Sequence, residues 1–414
     1  MKSIANKRII CGLFIVYMTI ILSMNFYCNA SHLPSDVSQI YNCISRNLLD
    51  PQSPGFSTFK DELKKNCSSI LNSYTSRVLD TCDIRLFFVD VYGLTVRILD
   101  KSILDQFLVK LDNGKLTLKP EKYPAETFDY AAQQIHLFQQ FLQKENVPLL
   151  YVQLPHKIHF KDTQLPVVIH DYINEEINYL LDSLKTNGTT AIDIRQMYAN
   201  NPDKHYQLFY YGDHHWQPEY ALYAYHYIAR EVKRSNPSLV KYFDCSRMDI
   251  RDYKAVSKPT PWSEHLGSEE RRVGRYYLNH TEEITYLIPL YKTRYSFSVP
   301  EYSVDATGSL EDTFLEYSNN VPVSIIKNHT VNNRNRILLI RDSFSHAFVP
   351  FLANNNYEVI TVDLRHYEGV LTDFIMDVKP DLVIIAYNPS IREQQRIYSG
   401  LIKTETENNT KSNN

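Results

Sequence analysis

A chain of 414 residues, 43% of them hydrophobic, has room for about two to three average domains or one enlarged α/β domain with additions, and either buries a sizeable core. A formal net charge of -3 and the lack of a long basic run exclude a general attraction to nucleic acid or to an anionic membrane surface. The surplus lies in tyrosine, 31 residues against only 11 glycines, which points to aromatic cores and strands and away from extended flexible linkers.

Lys2, Lys7 and Arg8 precede an almost continuously apolar run from Ile9 to Met24, and Cys28-Asn29-Ala30 offers a cleavage point. Residues 1–30 therefore read as a signal peptide or signal anchor, and either outcome places the following domain outside the cytoplasm. Cleavage would leave Cys43, Cys67, Cys82 and Cys245, an even number with three pairings, and disulfides are expected because the spacings fit no zinc pattern. Asn66, Asn187, Asn279, Asn328 and Asn408 each open an Asn-x-Ser/Thr sequon, which matters only in a glycosylating host.

Residues 31–85 form an N-terminal region with no role to assign. The expected main domain runs from 86 to 400. Leu86 to Val89 suits a short strand, and Val109 to Leu118, with Asp112-Asn113-Gly114 at its middle, suits a hairpin forming an extra sheet or an edge flap. Ala131, Ile135, Phe138, Phe141 and Leu142 recur at helical spacing, followed by the apolar run Val147 to Val152, which ends at Pro155-His156-Lys157. Ile173 to Leu184 marks a second helix that Gly188 closes, and a strand runs through Ala191 and Ile192 to Asp193. Pro218 and Glu219 open a third helix, since proline is favoured at the first helical position and acidic residues suit the first turn.

Residues 245–330 interrupt this alternation as a polar, aromatic, irregular insertion or lid. Alternation then resumes with strand Ile337 to Ile340, a helix from Phe344 to about Leu352, strand Glu358 to Val362, a helix from Gly369 to Met376 and strand Leu382 to Ala386. The pattern predicts an α/β fold with a doubly wound, mostly parallel sheet. Residues 401–414 read as a disordered tail.

In such a sheet ligands bind outside the carboxyl ends of the strands. The polar groups there are Lys157, Asp193, Arg195, Asp342, Ser343, Asp363, Arg365 and Asn388, joined by Asp213 and His215 from the turn before the third helix. A hydroxyl, an imidazole with its carboxylate, cations and an amide are the inventory for acyl transfer. Serine is a weak nucleophile until a base takes its proton, so Ser343 needs His215 within reach and His215 needs Asp213 to hold its tautomer. Arg365, Asn388, Lys157 and Trp216 are the candidates for substrate or oxyanion contacts. The plainer alternatives are that Asp342 and Ser343 cap a helix, Arg365 only pairs with Asp363, Lys157 is solvated and Trp216 packs. His346 is expected outside the reaction centre. No metal or cofactor is expected.

Gly212-Asp213-His214-His215-Trp216, Arg341-Asp342-Ser343-Phe344 with Pro350-Phe351-Leu352-Ala353, and Val362-Asp363-Leu364-Arg365-His366-Tyr367 resemble the signature blocks of the DHHW protein family. That family is similar to the alginate O-acetyltransferase proteins with SGNH-hydrolase-like domains. Val91-Tyr92-Gly93-Leu94, Lys110 to Gly114, Pro155-His156-Lys157, Arg272-Val273-Gly274 and Lys379-Pro380-Asp381 extend the resemblance over roughly residues 88 to 390. It implies an SGNH-like fold with permuted motif order, Ser343 as nucleophile, His215 as base and Asp213 as its partner. It further implies O-acetylation of a cell-surface or secreted polysaccharide, with a membrane-bound acyltransferase supplying the acyl groups. Arg341 stands where glycine or lysine commonly precedes the Asp-Ser pair, so a changed pocket entrance is expected. A carbohydrate esterase using the same site, a non-catalytic glycan-binding envelope protein and a metal-assisted phosphoesterase remain as alternatives.

Overall fold

The structure, a computed structural model, describes residues 99–104, 108–246, 249–257, 285–289, 295–299, 304–308, 321–392 and 395–402, all within the compact unit Leu86–Asn414. The leader, region 31–85, the strand at Leu86 to Val89, Cys43, Cys67, Cys82 and the tail beyond 402 lie outside the described residues.

Leu108–Lys110 (β1) and Leu116–Leu118 (β2) pair antiparallel as the expected hairpin, with Gly114 at φ +86 in its turn, a conformation glycine adopts without strain. Then follow Ala125–Lys144 (α1), Leu149–Gln153 (β3), Tyr172–Thr186 (α2), Ala191–Asp193 (β4), Pro202–Gln207 (α3) and Pro218–Ser235 (α4). After Tyr253–Ser257 (β5), Thr285–Pro289 (β6), Tyr295–Val299 (β7), Val304–Gly308 (β8) and Val323–Asn328 (β9), the chain continues through Arg336–Arg341 (β10), Val349–Asn355 (α5), Glu358–Val362 (β11), Leu371–Val378 (α6), Leu382–Tyr387 (β12) and Gln395–Ser399 (α7).

Eight strands form one sheet in the order β4-β3-β12-β10-β11-β9-β7-β8. The first five run parallel, and β9, β7 and β8 continue it antiparallel. The central strands are buried on both faces, as parallel strands covered by helices must be. Along β10, Ile337 and Leu339 pack with α4 and α5, whereas Leu338 and Ile340 pack with α1, α2 and α6. The fold is thus a doubly wound, mostly parallel α/β domain. The crossovers on either side of β10 use opposite faces: α5 leads to β11 within the first core cluster, and α6 leads to β12 within the second. The carboxyl end of β10 is therefore a topological switch point, where an open α/β sheet leaves a crevice.

Two expectations change. The segment 245–330 is not wholly irregular: β5 and β6 pair as a ribbon, and β7, β8 and β9 extend the main sheet. Polar residues interrupt β5, β7, β8 and β9, so these strands lack the continuous apolar runs that reveal β10 and β12. The helix expected from Phe344 to Leu352 is split into a 3-10 turn, Ser343–Ala347, and α5. Pro350 has no N–H to donate and is tolerated in the first turn of α5, not inside one continuous helix. No helix among the described residues is long and apolar enough to cross a membrane.

Candidate active site

The turn before α4 is closed on itself. Phe209 bridges Trp216 antiparallel, Gln217 N donates to Leu208 O at 2.8 Å, and Tyr210 N donates to His215 O at 3.4 Å. Pro218 then starts the helix and stops the turn from sliding into it. Within the turn, Asp213 Oδ1 accepts from the backbone N–H of His215 at 2.8 Å and lies 2.7 Å from His215 Nδ1. The imidazole is oriented by one carboxylate oxygen that also holds its own backbone.

Ser343 is brought to this imidazole from the end of β10. Its Oγ is 2.9 Å from His215 Nε2, across 128 positions of sequence. A carboxylate only accepts, so Nδ1 carries the ring proton and Nε2 is the acceptor facing the serine hydroxyl. His215 keeps 21% of its side-chain exposure, while Asp213 is buried. Phe344 lies under the imidazoles, its ring centre 4.8 Å from that of His215, and His214 stacks on His215 at 4.1 Å.

Asp342 caps the 3-10 turn, as one of the plainer readings had it. Its carboxylate accepts from Phe344 N at 2.9 Å and from Asn388 N at 2.7 Å, which ties the β10 end to the β12 end. Burial pushes its pKa up to about 6, against the pull of the nearby Arg365 guanidinium and those two amides. Ser343 is not a cap, since its hydroxyl faces His215. Its own N–H, first in the turn, donates to no described residue.

The remaining candidates divide. Asn388 is buried, its amide donating to Pro155 O at 2.7 Å and its carbonyl accepting from Ser390 N at 2.9 Å, so it fastens two strand ends together. Lys157 is fully buried and donates to Leu116 O at 2.5 Å, Asp213 O at 2.6 Å and Tyr211 O at 3.2 Å. It is neither a solvated lysine nor a cation held out to substrate. Trp216 is in the core, with its indole N–H on Phe344 O at 2.9 Å, so it locks the two halves of the site together and offers no platform to a sugar. Arg365 forks onto Asp363, Nε to Oδ1 at 2.9 Å and Nη2 to Oδ2 at 2.6 Å. Burial alone would raise the Asp363 carboxyl, but the Arg365 fork and Arg341 outweigh it and hold it below the usual carboxylate range. Arg365 is still 24% exposed, and among the described residues its Nη1 has no partner.

Arg341 does not line the entrance. It is fully buried, its guanidinium reaching Thr361 Oγ1, Asp363 Oδ2 and Val321 O at 3.2 to 3.3 Å. The sequon at Asn328 is closed as well, because its buried amide donates to Ala353 O and Asn354 O. Asp213, His214 and His215 present ligand atoms within 4.8 Å of one another. The donor set does not suit a metal centre, since both nitrogens of His215 are already committed to Asp213 and Ser343. Sequence reading missed Phe344 as the floor of the site and Lys115, whose Nζ donates to Phe209 O at 2.8 Å. Phe344 stood inside a block already singled out, whereas Lys115 carried no signal.

Residues 116–255 match the family model of the SGNH hydrolase-like domain of the acetyltransferase AlgX. The stretch holds Lys157, Asp213 and His215, and Ser343 lies beyond it. Among solved structures, Bacillus cereus PatB1 aligns at 20% identity and a TM-score of 0.55, covering 71% of this chain and 99% of that one. A DHHW family protein from Eubacterium siraeum aligns at 18% identity and a TM-score of 0.52, covering 72% and 96%. At such identities the likeness establishes a shared fold. No curated protein matches the chain by sequence. The SGNH hydrolase-like domain thus supports an enzyme of the acetyltransferase type.

Proposed function

We propose that this protein is an extracytoplasmic O-acyltransferase that moves an acetyl group onto a hydroxyl of a cell-surface or secreted polysaccharide through a Ser343 acyl-enzyme. The observation that carries the reading is the 2.9 Å contact between Ser343 Oγ and an imidazole whose other nitrogen is held by Asp213. In the first half-reaction Ser343 Oγ attacks the acyl carbonyl while His215 Nε2 takes its proton. The bond from acyl carbon to donor oxygen then breaks, and the same proton leaves on the donor alcohol. In the second, His215 takes a proton from the acceptor hydroxyl, whose oxygen attacks the acyl-serine, and the proton returns to Ser343. The Ser343 N–H is aimed at the oxyanion of both tetrahedral intermediates, and Arg365 Nη1 at an acidic group on the glycan. A basic and apolar leader supports export, and the acetyl donor is a membrane-bound acyltransferase partner or its product.

A second reading, carbohydrate esterase, draws on the partial exposure of His215, which lets water stand where a sugar hydroxyl would. One experiment addresses both. The full chain is incubated with p-nitrophenyl acetate and weighed intact. One added acetyl group, mapped to Ser343 and absent from Ser343→Ala, is expected, and its transfer to an added acidic oligosaccharide separates transferase from esterase. An adduct that persists in Ser343→Ala sinks the acyl-enzyme. PatB1 has been solved with a sulfonyl adduct, and a sulfonyl fluoride offers a second label for the same hydroxyl.

A further inference from the structure

The β1–β2 hairpin takes no part in the chemistry above, yet it grips the turn that carries Asp213. Leu116 N donates to Tyr211 O at 2.8 Å. Lys115 Nζ donates to Phe209 O at 2.8 Å and lies 3.7 Å from the centre of the Tyr211 ring. Between hairpin and turn stands Lys157, at the carboxyl end of β3. An ammonium has three protons in fixed tetrahedral directions, and this one directs them at Leu116 O, Tyr211 O and Asp213 O. One of the three carbonyls belongs to the residue whose carboxylate orients His215. An ammonium is costly to bury, and a site that needed only bulk would be filled at lower cost by an aliphatic side chain.

We propose that Lys157 is a positioning residue for the acyl-transfer site, fixing the Asp213 backbone against the hairpin so that the carboxylate stays on His215 Nδ1. The inference rests on the Ser343–His215–Asp213 reading and deepens it. It also gives the hairpin a part in the reaction, with the Leu116 carbonyl as the anchor against which the catalytic turn is held. A displacement of about 1 Å in such a constellation is enough to lower turnover markedly, so a lysine that never meets substrate is expected to act on kcat.

The test uses the full chain and p-nitrophenyl acetate. Lys157→Met is expected to lower kcat by about ten- to a hundredfold with KM within about twofold, since it removes alignment and not substrate binding. In an Asp213→Asn background the further loss from Lys157→Met is expected to be less than about twofold, because the two residues act as one unit. Lys157→Arg, which keeps a buried cation and its donors, recovers part of the loss. Equal losses in both backgrounds would assign Lys157 to the fold alone and overturn the proposal. If Lys157→Met shows no cooperative unfolding transition, Lys115→Met loosens the same turn from the hairpin side, and the same signs in kcat and in the double mutant are required of it. Failure of the underlying reading looks different: Ser343→Ala and Asp213→Asn would then themselves turn over at the wild-type rate.

Discussion

At the edge of the sheet and at its centre, two strands end in the same three-residue device. After β4, Asp193 accepts from the Arg195 backbone N–H at 3.1 Å and forks onto its guanidinium at 2.8 and 2.9 Å. After β11, Asp363 does the same to Arg365 at 3.0, 2.9 and 2.6 Å. The surroundings differ. Arg195 is 3% exposed and gives its remaining donors to Asn174 and Asn178 on α2, whereas Arg365 keeps an exposed edge and sits close enough to Asp342 to oppose the rise that burial gives its pKa. Asp213 and His215 repeat the turn with an imidazole as the locked side chain. An aspartate that holds the backbone and side chain of the second residue after it is a device for aiming that side chain, and the tertiary neighbours decide what the aimed group meets: two asparagines for Arg195, solvent for Arg365 and the Ser343 hydroxyl for His215.

Of the three turns, the one carrying the imidazole should be the most sensitive to substitution. His215→Gln should lower acetyl-ester turnover by about three orders of magnitude or more with folding nearly unchanged, while His214→Gln should cost about tenfold at most, because only the first ring reaches Ser343. Steady-state hydrolysis with a circular-dichroism control checks both, and the reverse ranking would exchange their roles. At the arginine turns the two members should separate by assay. Arg195→Met should lower the unfolding free energy in urea by about 2 kcal/mol, because it leaves the partly buried Asp193 carboxylate and the buried Asn174 carbonyl without their donor. Arg365→Lys should cost less stability yet weaken turnover of an acidic glycan more than that of a neutral acetyl ester, since lysine cannot serve Asp363 and a second carboxylate as a fork can. Equal behaviour of the two variants in both assays would erase the distinction.

The smallest effect belongs to Asp342. Burial raises its folded pKa from 3.8 to about 6, so the native state holds a proton that the unfolded chain has released between those values. Stability from this group therefore rises as pH falls through about 6 and is absent above it. From pH 7 to 5 wild type should gain about 1 kcal/mol relative to Asp342→Asn, which carries no such proton. Urea midpoints of both proteins at the two pH values measure it, and a constant difference between them would place the carboxyl in a less buried setting.

Much of this molecule was legible in one dimension because its reasons are local. Strands β10 and β12 showed as the unbroken apolar runs Ile337 to Ile340 and Leu382 to Ala386 because both faces of a central parallel strand are buried. The start of α4 showed at Pro218, and the pairing of Asp213 with His215 was readable because its two hydrogen bonds span two residues. Such contacts are satisfied wherever the chain goes next, so spacing alone discloses them.

The tertiary structure decided what those local pieces do. That His215, and neither arginine of the matching turns, faces Ser343 depends on β10 bringing residue 343 beneath the turn before α4, a contact no periodicity encodes. Lys157, Trp216 and Asn388 passed as site residues on sequence because lysine, tryptophan and asparagine at strand ends carry polar atoms suited to a ligand. Folding gave those atoms backbone carbonyls far along the chain instead: Leu116 and Asp213 for the lysine, Phe344 for the indole, Pro155 for the amide. A buried donor must find an acceptor or pay its desolvation, and which acceptor lies within reach is settled only when distant strands come to rest side by side.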